Sequence, residues 1–449
     1  MGRLFGTDGV RGIANTELTC ETAMEIGRAA AVVLTDGMHR KPKFIIGKDT
    51  RSSCDMLEGA LQSGLCSVGA NVTLLGVVPT PAVAYLVKKY KADAGIMISA
   101  SHNPCEYNGI KIFSSDGHKL PDALEEQIEA IVLDRKISVP APVGDGIGRV
   151  SVASFAADDY IKHIVKTVDI SLDGLKIGID CAYGSASVTA KKLFSELGAE
   201  CLIMYDTPNG VNINENCGST HLENLADFVV RNSLDCGIAF DGDADRCLAI
   251  DDEGNVFDGD YIMAILADDL NKRGKLKNST VVGTIMTNMG FIKFCESLGL
   301  RFVATKVGDR YVLEEMLLEG YNFGGEQSGH IIFLDHCTTG DGQLTAVQLL
   351  ALMKREGIKL SEFAARIKKY PQKLVNINVS PEGKIRFYTD QNVKEAIEEA
   401  KEELGESGRV VVRVSGTEPL IRVMTEGPCE EQIDKIANNI AAVVKAYLC

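Results

Sequence analysis

Short β-branched runs alternate with helix-forming stretches through most of the chain, and that rhythm constrains the fold more than any other feature. From Lys43 onward, Phe44-Ile45-Ile46, Val72 to Leu75 and Gly95 to Ile98 read as strands, with helices opening near Ser52 and after Pro79-Thr80-Pro81. Neighbouring parallel strands need a long crossover, usually a helix, so the alternation predicts a mainly parallel sheet covered by helices. It recurs in strands at Lys176 to Asp180, Cys201 to Tyr205 and Cys236 to Phe240, with helices starting near Ser185 and Thr220. It recurs again in strands at Thr280 to Thr284 and Arg301 to Thr305, with helices over 258–272, 288–297 and 309–319. Past Tyr370-Pro371 the order changes: a strand at Leu374 to Val379, a charged helix over 392–403, strands at 409–414 and 420–424, and a last helix from Glu430.

The predicted fold class is therefore α/β: three similar α/β domains with mixed, mainly parallel sheets, followed by a C-terminal α+β domain. The expected boundaries are 1–140, 150–252, 254–368 and 371–449, with the Pro- and Gly-rich Val139 to Gly146 as the first linker. A length of 449 residues accommodates this, since domains typically hold roughly 100 to 200.

Lys and Arg number 47 against 62 Asp and Glu, a formal charge of −15, which opposes nonspecific binding to nucleic acid or an anionic membrane. No stretch has the length and apolarity of a membrane helix, and the first residues do not read as a signal peptide or a myristoylation site. The 13 cysteines are scattered without a C-x-x-C pair, as expected of reduced thiols in a cytoplasmic protein. An anionic small molecule would need a local cluster of Arg, Lys and backbone N–H groups to overcome the global charge.

Five segments carry candidate chemistry. In Asp241-Gly242-Asp243-Ala244-Asp245-Arg246, three carboxylates follow an apolar strand at alternate positions and would repel one another unless a cation gathered them. Their hard oxygens suit Mg²⁺ or Mn²⁺. An EF-hand loop also opens D-x-D-x-D, but its sixth position should be Gly and its twelfth Glu, where Arg246 and Asp252 stand. A plain acidic turn is the other reading. The segment Ser99-Ala100-Ser101-His102-Asn103-Pro104 lies at the carboxyl end of a strand, where open α/β sheets place ligands. His102, adjacent to Ser101, is poorly placed as a triad base, so acyl transfer is weakly supported and turn chemistry remains open. Arg413 to Arg422 is a strand-turn-strand with two guanidiniums, two hydroxyls and the N–H groups around Gly416, the donors a phosphate needs, or else an ordinary hairpin. Gly324 to His330 reads as a tight hairpin that could offer Glu, Ser and His to sugar hydroxyls. Phe5 to Gly12 is a Gly-rich loop whose Arg11 could reach an anion, and it matches neither common nucleotide-binding pattern.

Together these loops resemble the α-D-phosphohexomutase superfamily, whose members carry a serine, a metal, a sugar and a phosphate loop in this order, one per domain. The likeness covers the whole chain, and Phe5 to Gly12, Ile98 to Pro104, Gly325 to His330, Thr338 to Gly342 and Ser415 to Met424 resemble the bacterial branch acting on glucosamine phosphates. The resemblance implies reversible conversion of glucosamine 6-phosphate into glucosamine 1-phosphate, feeding UDP-N-acetylglucosamine synthesis. Ser101 would carry a phosphoryl group, and Asp241, Asp243 and Asp245 would hold Mg²⁺ with one of its oxygens. A glucosamine or glucose 1,6-bisphosphate would be the activator. Arg246 would help bind the moving group, with His102, Lys111 and His330 as candidates for proton transfer and charge stabilisation. Glu326 and Ser328 would grip sugar hydroxyls, Gly308 and Asp309 would face the substrate, and Arg413, Ser415, Gly416, Thr417 and Arg422 would hold the nonreacting phosphate. The partner implied is a small sugar phosphate, with neither nucleic acid nor membrane, and a homodimer is admitted. A phosphoglucomutase or phosphomannomutase is the nearest alternative. A metal-dependent phosphatase or a noncatalytic sugar-phosphate binder is more distant.

Overall fold

The computed structural model describes residues 3–6, 8–35, 37–135, 139–415 and 419–449, and their strands form four sheets. The first contains β1 (Val10–Ile13), β2 (Lys43–Lys48), β3 (Asn71–Val77), β4 (Ala94–Ile98), β5 (Tyr107–Ser114) and β6 (Val150–Val152) in the order β1-β5-β4-β2-β3-β6. The second contains β7 (Lys176–Asp180), β8 (Glu200–Met204), β9 (Cys236–Phe240), β10 (Cys247–Ile250) and β11 (Val256–Phe257) in the order β11-β10-β9-β7-β8. The third orders β12 (Thr280–Thr284), β13 (Arg301–Thr305), β14 (Phe323–Gly325) and β15 (Ile331–Phe333) as β13-β12-β14-β15. The last, β16 (Gln372–Asn378), β17 (Arg409–Val414) and β18 (Leu420–Glu426), is antiparallel throughout, in the order β16-β18-β17.

The first three sheets share a plan beyond the alternation of elements. In each, a parallel strand turns back into an antiparallel neighbour: β4 into β5, β9 into β10, β14 into β15. Strands β4 and β9 are buried along their whole length, which is why they read as unbroken apolar runs. The polar residues their chemistry requires are therefore displaced to the turns that follow. Those turns are 99–106, 241–246 and 326–330.

One hydrophobic core runs through the first three domains, joining Val83 and Phe113, Tyr160 and Phe240, and Ile262, Phe291 and Leu349. The helix Gly342–Glu356 is buried continuously from Gly342 to Met353, and each fully buried Leu, Val or Met contributes about 1.5–3 kcal/mol. The fourth domain has its own core around Ile421, Val423, Ile436 and Ile440.

Two expectations need correction. Val150–Val152 pairs in parallel with β3, so the first sheet continues beyond the stretch expected to be a linker. The end of that stretch is tied down, with Lys41 Nζ donating to the Asp145 carbonyl and, just past it, to the Ile147 carbonyl at 2.9 Å. Arg11 lies in a strand rather than a Gly-rich loop, paired through β1 with Gly109 of β5. All 13 cysteines are free thiols, and among the described residues no helix is long and apolar enough to cross a membrane.

Candidate active site

Ser101 occupies the turn between β4 and β5 with a left-handed φ of 52°, a conformation that non-glycine residues hold only under constraint. The constraint is visible. Ser101 N donates to Ser99 Oγ at 3.0 Å, and Ser99 Oγ donates to Asp49 Oδ2 at 2.6 Å. Arg51 Nη2 donates to the carbonyls of Ser101 and Asn103 at 3.0 and 2.7 Å, and Asn214 Nδ2 donates to the same two at 2.9 and 3.0 Å. Thus elements of two domains aim the Ser101 hydroxyl, which donates to Asp241 Oδ2 at 2.5 Å.

The acidic turn after β9 brings Asp241, Asp243 and Asp245 together, one ligand oxygen from each lying within 4.8 Å of the others, all buried. Burial, and then the like charges of Asp245 and Asp243, push the Asp241 carboxyl well above its ordinary range. Burial would raise Asp243 too, but the Lys111 ammonium, 2.8 Å from its Oδ2, holds it below that range. Thr80 supports the same oxygen from the start of the helix Thr80–Lys89, with Oγ1 donating at 2.5 Å, and Thr80 N bonds the Asp243 carbonyl at 2.9 Å. Asp243 Oδ1 and Asp245 Oδ1 remain buried without hydrogen-bond partners. Three converging carboxylates with two unmet oxygens fit a hard divalent cation. The EF-hand alternative fails on its flanks, which are strands.

Around this turn stand His102, Lys111, Arg246 and Arg11. Burial, then the charges of Arg246 and Arg11, lower the His102 imidazole to about 3, so it is neutral near pH 7, and its Nδ1 is 3.4 Å from Ser101 Oγ. Lys111 is a buried ammonium. Burial favours losing its proton, but Asp243, Asp8 and Asp245 outweigh that and raise its pKa. Arg246 is likewise raised against burial by Asp241 and Asp245, and its Nε is buried without a partner.

The sugar-loop candidates form a second cluster. Gly308, at a φ of 132°, donates its N–H to Glu326 Oε1 at 3.0 Å. Asp309 opens the helix Asp309–Glu319, and His330 Nε2 lies 3.6 Å from its Oδ2. Ser328 Oγ and both His330 ring nitrogens are buried without hydrogen-bond partners. An alternating chain of charges connects the two clusters: Asp243, Lys111, Asp8, Lys119 and Asp309, with Lys111 to Asp8 at 3.1 Å and Lys119 to Asp8 and Asp309 at 2.5 Å each. Arg11 pairs with Asp8 in the same chain.

Arg413 and Arg422 stand opposite each other across β17 and β18. Like charges in that register are destabilising, and burial with the Arg422 charge pulls Arg413 below the usual guanidinium range. An anion between them would remove the conflict. Glu326 is near enough to act electrostatically on both Arg246 and Arg413. Ser415 is buried and its carbonyl accepts from Lys384 Nζ at 2.7 Å. Gly416 and Thr417 lie outside the described residues.

Comparison with known proteins agrees with this layout. Residues 2–137, 158–254, 258–370 and 374–443 match phosphoglucomutase/phosphomannomutase domains I, II, III and IV, the first three described as alpha/beta/alpha and the last as the C-terminal domain. The chain is 53% identical over 445 residues to the phosphoglucosamine mutase of Clostridium novyi, covering 99% of each chain. It is 55% identical over 448 residues to that of a Thermoanaerobacter species, covering 100% of each. The chain belongs to the phosphoglucosamine mutase family. It is accordingly a mutase. Solved structures share the fold at lower identity: a phosphoglucomutase/phosphomannomutase family protein from Burkholderia thailandensis has a TM-score of 0.83 at 23% identity, covering 99% of this chain and 98% of that one. The N-acetylphosphoglucosamine mutase of Aspergillus fumigatus, solved with GlcNAc-6P and magnesium, has a TM-score of 0.68 at 18% identity, covering 99% and 96%.

In this member of the phosphoglucosamine mutase family, the sequence reading passed over Asp8, Asp49, Arg51, Thr80, Lys119 and Asn214. Asp49 and Arg51 had an available signal: they follow β2 at the carboxyl end of the same parallel run whose next strand delivers Ser101. Lys119 and Asn214 had none, because each acts across a domain boundary.

Proposed function

We propose that the chain interconverts glucosamine 6-phosphate and glucosamine 1-phosphate, with a phosphoryl group carried on Ser101 and a sugar 1,6-bisphosphate that turns around in the site. The observation that carries this reading is the Ser101 hydroxyl 2.5 Å from Asp241 within the three-carboxylate cluster. A hydroxyl has no chemical reason to be driven into an acidic cluster unless a phosphoryl group and a cation come between them.

Asp241, Asp243 and Asp245 would hold Mg²⁺, which when bound neutralises anionic oxygens during phosphoryl transfer. Lys111 keeps its proton and Arg246 its charge, so both would bind transferring oxygens rather than accept protons. His102 is neutral and supplies a hydrogen bond beside the Ser101 oxygen. With those three so disposed, His330 is the group left to exchange a proton with the sugar hydroxyl that attacks or leaves. Glu326 would accept from the C3 and C4 hydroxyls, with Ser328 beside it and Gly308 fixing its orientation. Arg413 and Arg422, with Ser415 and the turn that contains Gly416 and Thr417, would hold the nonreacting phosphate wherever the sugar's turn delivers it. Arg11 would add positive charge at the transferring group.

The test is turnover of glucosamine 1-phosphate and glucose 1-phosphate by one preparation of known phosphorylation state, with and without chelator. The reading expects higher kcat/KM on the amino sugar, loss on chelation, and revival of dephosphorylated protein by glucosamine or glucose 1,6-bisphosphate. Preference for glucose phosphate would make it a phosphoglucomutase, and steady release of inorganic phosphate a phosphatase.

A further inference from the structure

We infer that Asp309, beside Glu326, distinguishes an amino sugar phosphate from a neutral hexose phosphate by meeting the ammonium at C2 of the sugar. The inference rests on the functional reading above and assigns its specificity to one side chain.

The carboxylates of this region differ in how they are neutralised. Asp8 is met by three cations, Arg11, Lys111 and Lys119. Among the described residues Asp309 meets one Lys or Arg, Lys119, through Oδ2 at 2.5 Å; it shares that ammonium with Asp8, and the charge of Lys119 holds its carboxyl below the ordinary range against burial. Among the described residues Glu326 forms no ion pair with any Lys, Arg or His, its Oε1 being satisfied by a neutral N–H from Gly308. Its carboxyl is raised by burial and then by the charge of Asp309, against the opposing charge of Arg246. Next to them His330, 4% exposed, has neither ring nitrogen in a hydrogen bond, and its Nε2 stops 3.6 Å short of Asp309 Oδ2. A buried imidazole with unmet nitrogens, beside one carboxylate without an ion pair and another whose Lys119 partner is shared, describes a place for a ligand that brings positive charge and several donors.

The proposed substrate has one such group. C2 is bonded to C3, so a sugar whose C3 hydroxyl meets Glu326 carries its C2 substituent to the side chains next to Glu326. Of those, Asp309 has the complementary charge. An ammonium supplies three donors and a full charge, whereas the 2-hydroxyl of glucose supplies one donor and none. Lys119 then acts as a positioning residue that anchors Asp309 at Oδ2 and leaves its other oxygen for the sugar.

The experiment compares wild type, Asp309→Asn and Asp309→Glu for kcat/KM on glucosamine 1-phosphate and on glucose 1-phosphate. In parallel, calorimetric Kd values for glucosamine 1-phosphate and glucose 1-phosphate, which present the sugar in the same orientation as the kinetic assay, are measured with each substitution in a Ser101→Ala background. Losing a charged hydrogen bond should lower the glucosamine-to-glucose ratio by about tenfold or more in Asp309→Asn, in kcat/KM and in Kd alike. Asp309→Glu, which keeps the charge, should retain most of the ratio. Equal losses on both sugars, an unchanged ratio, or loss of the ratio in Asp309→Glu would overturn the assignment. Wild-type protein that preferred glucose phosphate would instead remove the functional reading itself, and would do so before any variant was compared.

Discussion

The turn carrying Asp241, Asp243 and Asp245 and the turn between Arg413 and Arg422 are both hairpins, yet they are supported in opposite ways. The acidic turn is buried and held by other domains: Thr80 from the first bonds Asp243, and Gly342 N, at the start of the buried third-domain helix, donates to the Ala244 carbonyl at 3.0 Å. The Arg413–Arg422 turn belongs to a domain with its own core. Among the described residues that domain meets the third through polar contacts that include Arg409 to the Ile285 carbonyl at 3.2 Å, Met289 N to Glu426 at 2.9 Å, and Gln372 Nε2 to the Met286 carbonyl at 3.3 Å. On the proposed reading, the groups that would meet a transferring phosphoryl at a fixed distance are built into a shared core. The grip on a phosphate that would arrive at either end of a turning sugar sits on a domain with its own core. Geometry is paid for where displacement costs most.

The largest effect should come from the acidic side of that comparison. Ser101→Ala should lower turnover by about 10³-fold or more with either monophosphate, and added 1,6-bisphosphate should not restore it, because the acceptor oxygen is gone. Phosphopeptide mapping of the wild type should place the phosphate on Ser101. A Ser101→Ala enzyme that retained ordinary rates would dissolve the contrast between the two loops.

Next should be Gly242→Ala, which leaves every polar group in place. A Cβ there would lie 2.6 Å from the Ser101 carbonyl oxygen and 2.8 Å from Ile213 Cδ1, so the serine and acidic turns would have to separate. Misplacement on the scale of 1 Å costs about 10²-fold in rate, and that loss should appear in kcat with little change in KM. Normal kcat would show that the clamped turn tolerates slack, contrary to its burial.

How much of this was legible in sequence follows the same division. Strands β4 and β9 were readable because burial on both faces demands unbroken apolar runs, and the turns after them stood out as polar interruptions. Strands β1, β5, β6 and β10 were not, being short or half-polar and defined by partners distant in the chain. The helix Cys20–Leu34 was also passed over, although the Thr19 side chain accepts from Thr22 N as an ordinary cap. Within the site, the acidic spacing exposed Asp241, Asp243 and Asp245 directly. The links between clusters, Asp8 and Lys119, escaped because a single Asp and a single Lys acquire meaning only when folding brings 8, 119 and 309 together.

On the phosphate side, Arg413→Ala should raise KM for both monophosphates by about 10- to 100-fold, the value of a charged hydrogen bond. Calorimetric affinity for Mg²⁺ should be unaltered, since Arg413 lies on the fourth domain and the carboxylates of the acidic turn lie on the second. Removing one guanidinium also relieves its repulsion with Arg422, so the thermal midpoint should hold or rise slightly. A loss of metal affinity would mean that the two loops are coupled after all.

A last effect, on stability and not on turnover, tests what the shared core tolerates near the acidic turn. Asp341 caps the helix Gly342–Glu356, its Oδ1 accepting from Leu344 N at 2.9 Å and Tyr160 Oη at 2.8 Å, while Oδ2 is buried without a partner. Burial raises this carboxyl to about 7. Because the folded pKa lies above the ordinary 3.8, the unfolded chain releases the proton first as pH rises. The contribution of Asp341 to stability is therefore fully present below about pH 4, declines between about pH 4 and 7, and stays low above that, a total change of up to about 4 kcal/mol. Asn keeps the accepting oxygen and the cap but carries no charge. In metal-free protein, Asp341→Asn should match wild type in urea midpoint at pH 4 and exceed it at pH 8, with the gap opening between. A variant less stable than wild type at pH 8 would show that the helix N-terminus and Tyr160 compensate the buried anion fully. The acidic turn would then sit in a frame under no electrostatic strain, and its contrast with the Arg413–Arg422 turn would rest on packing alone.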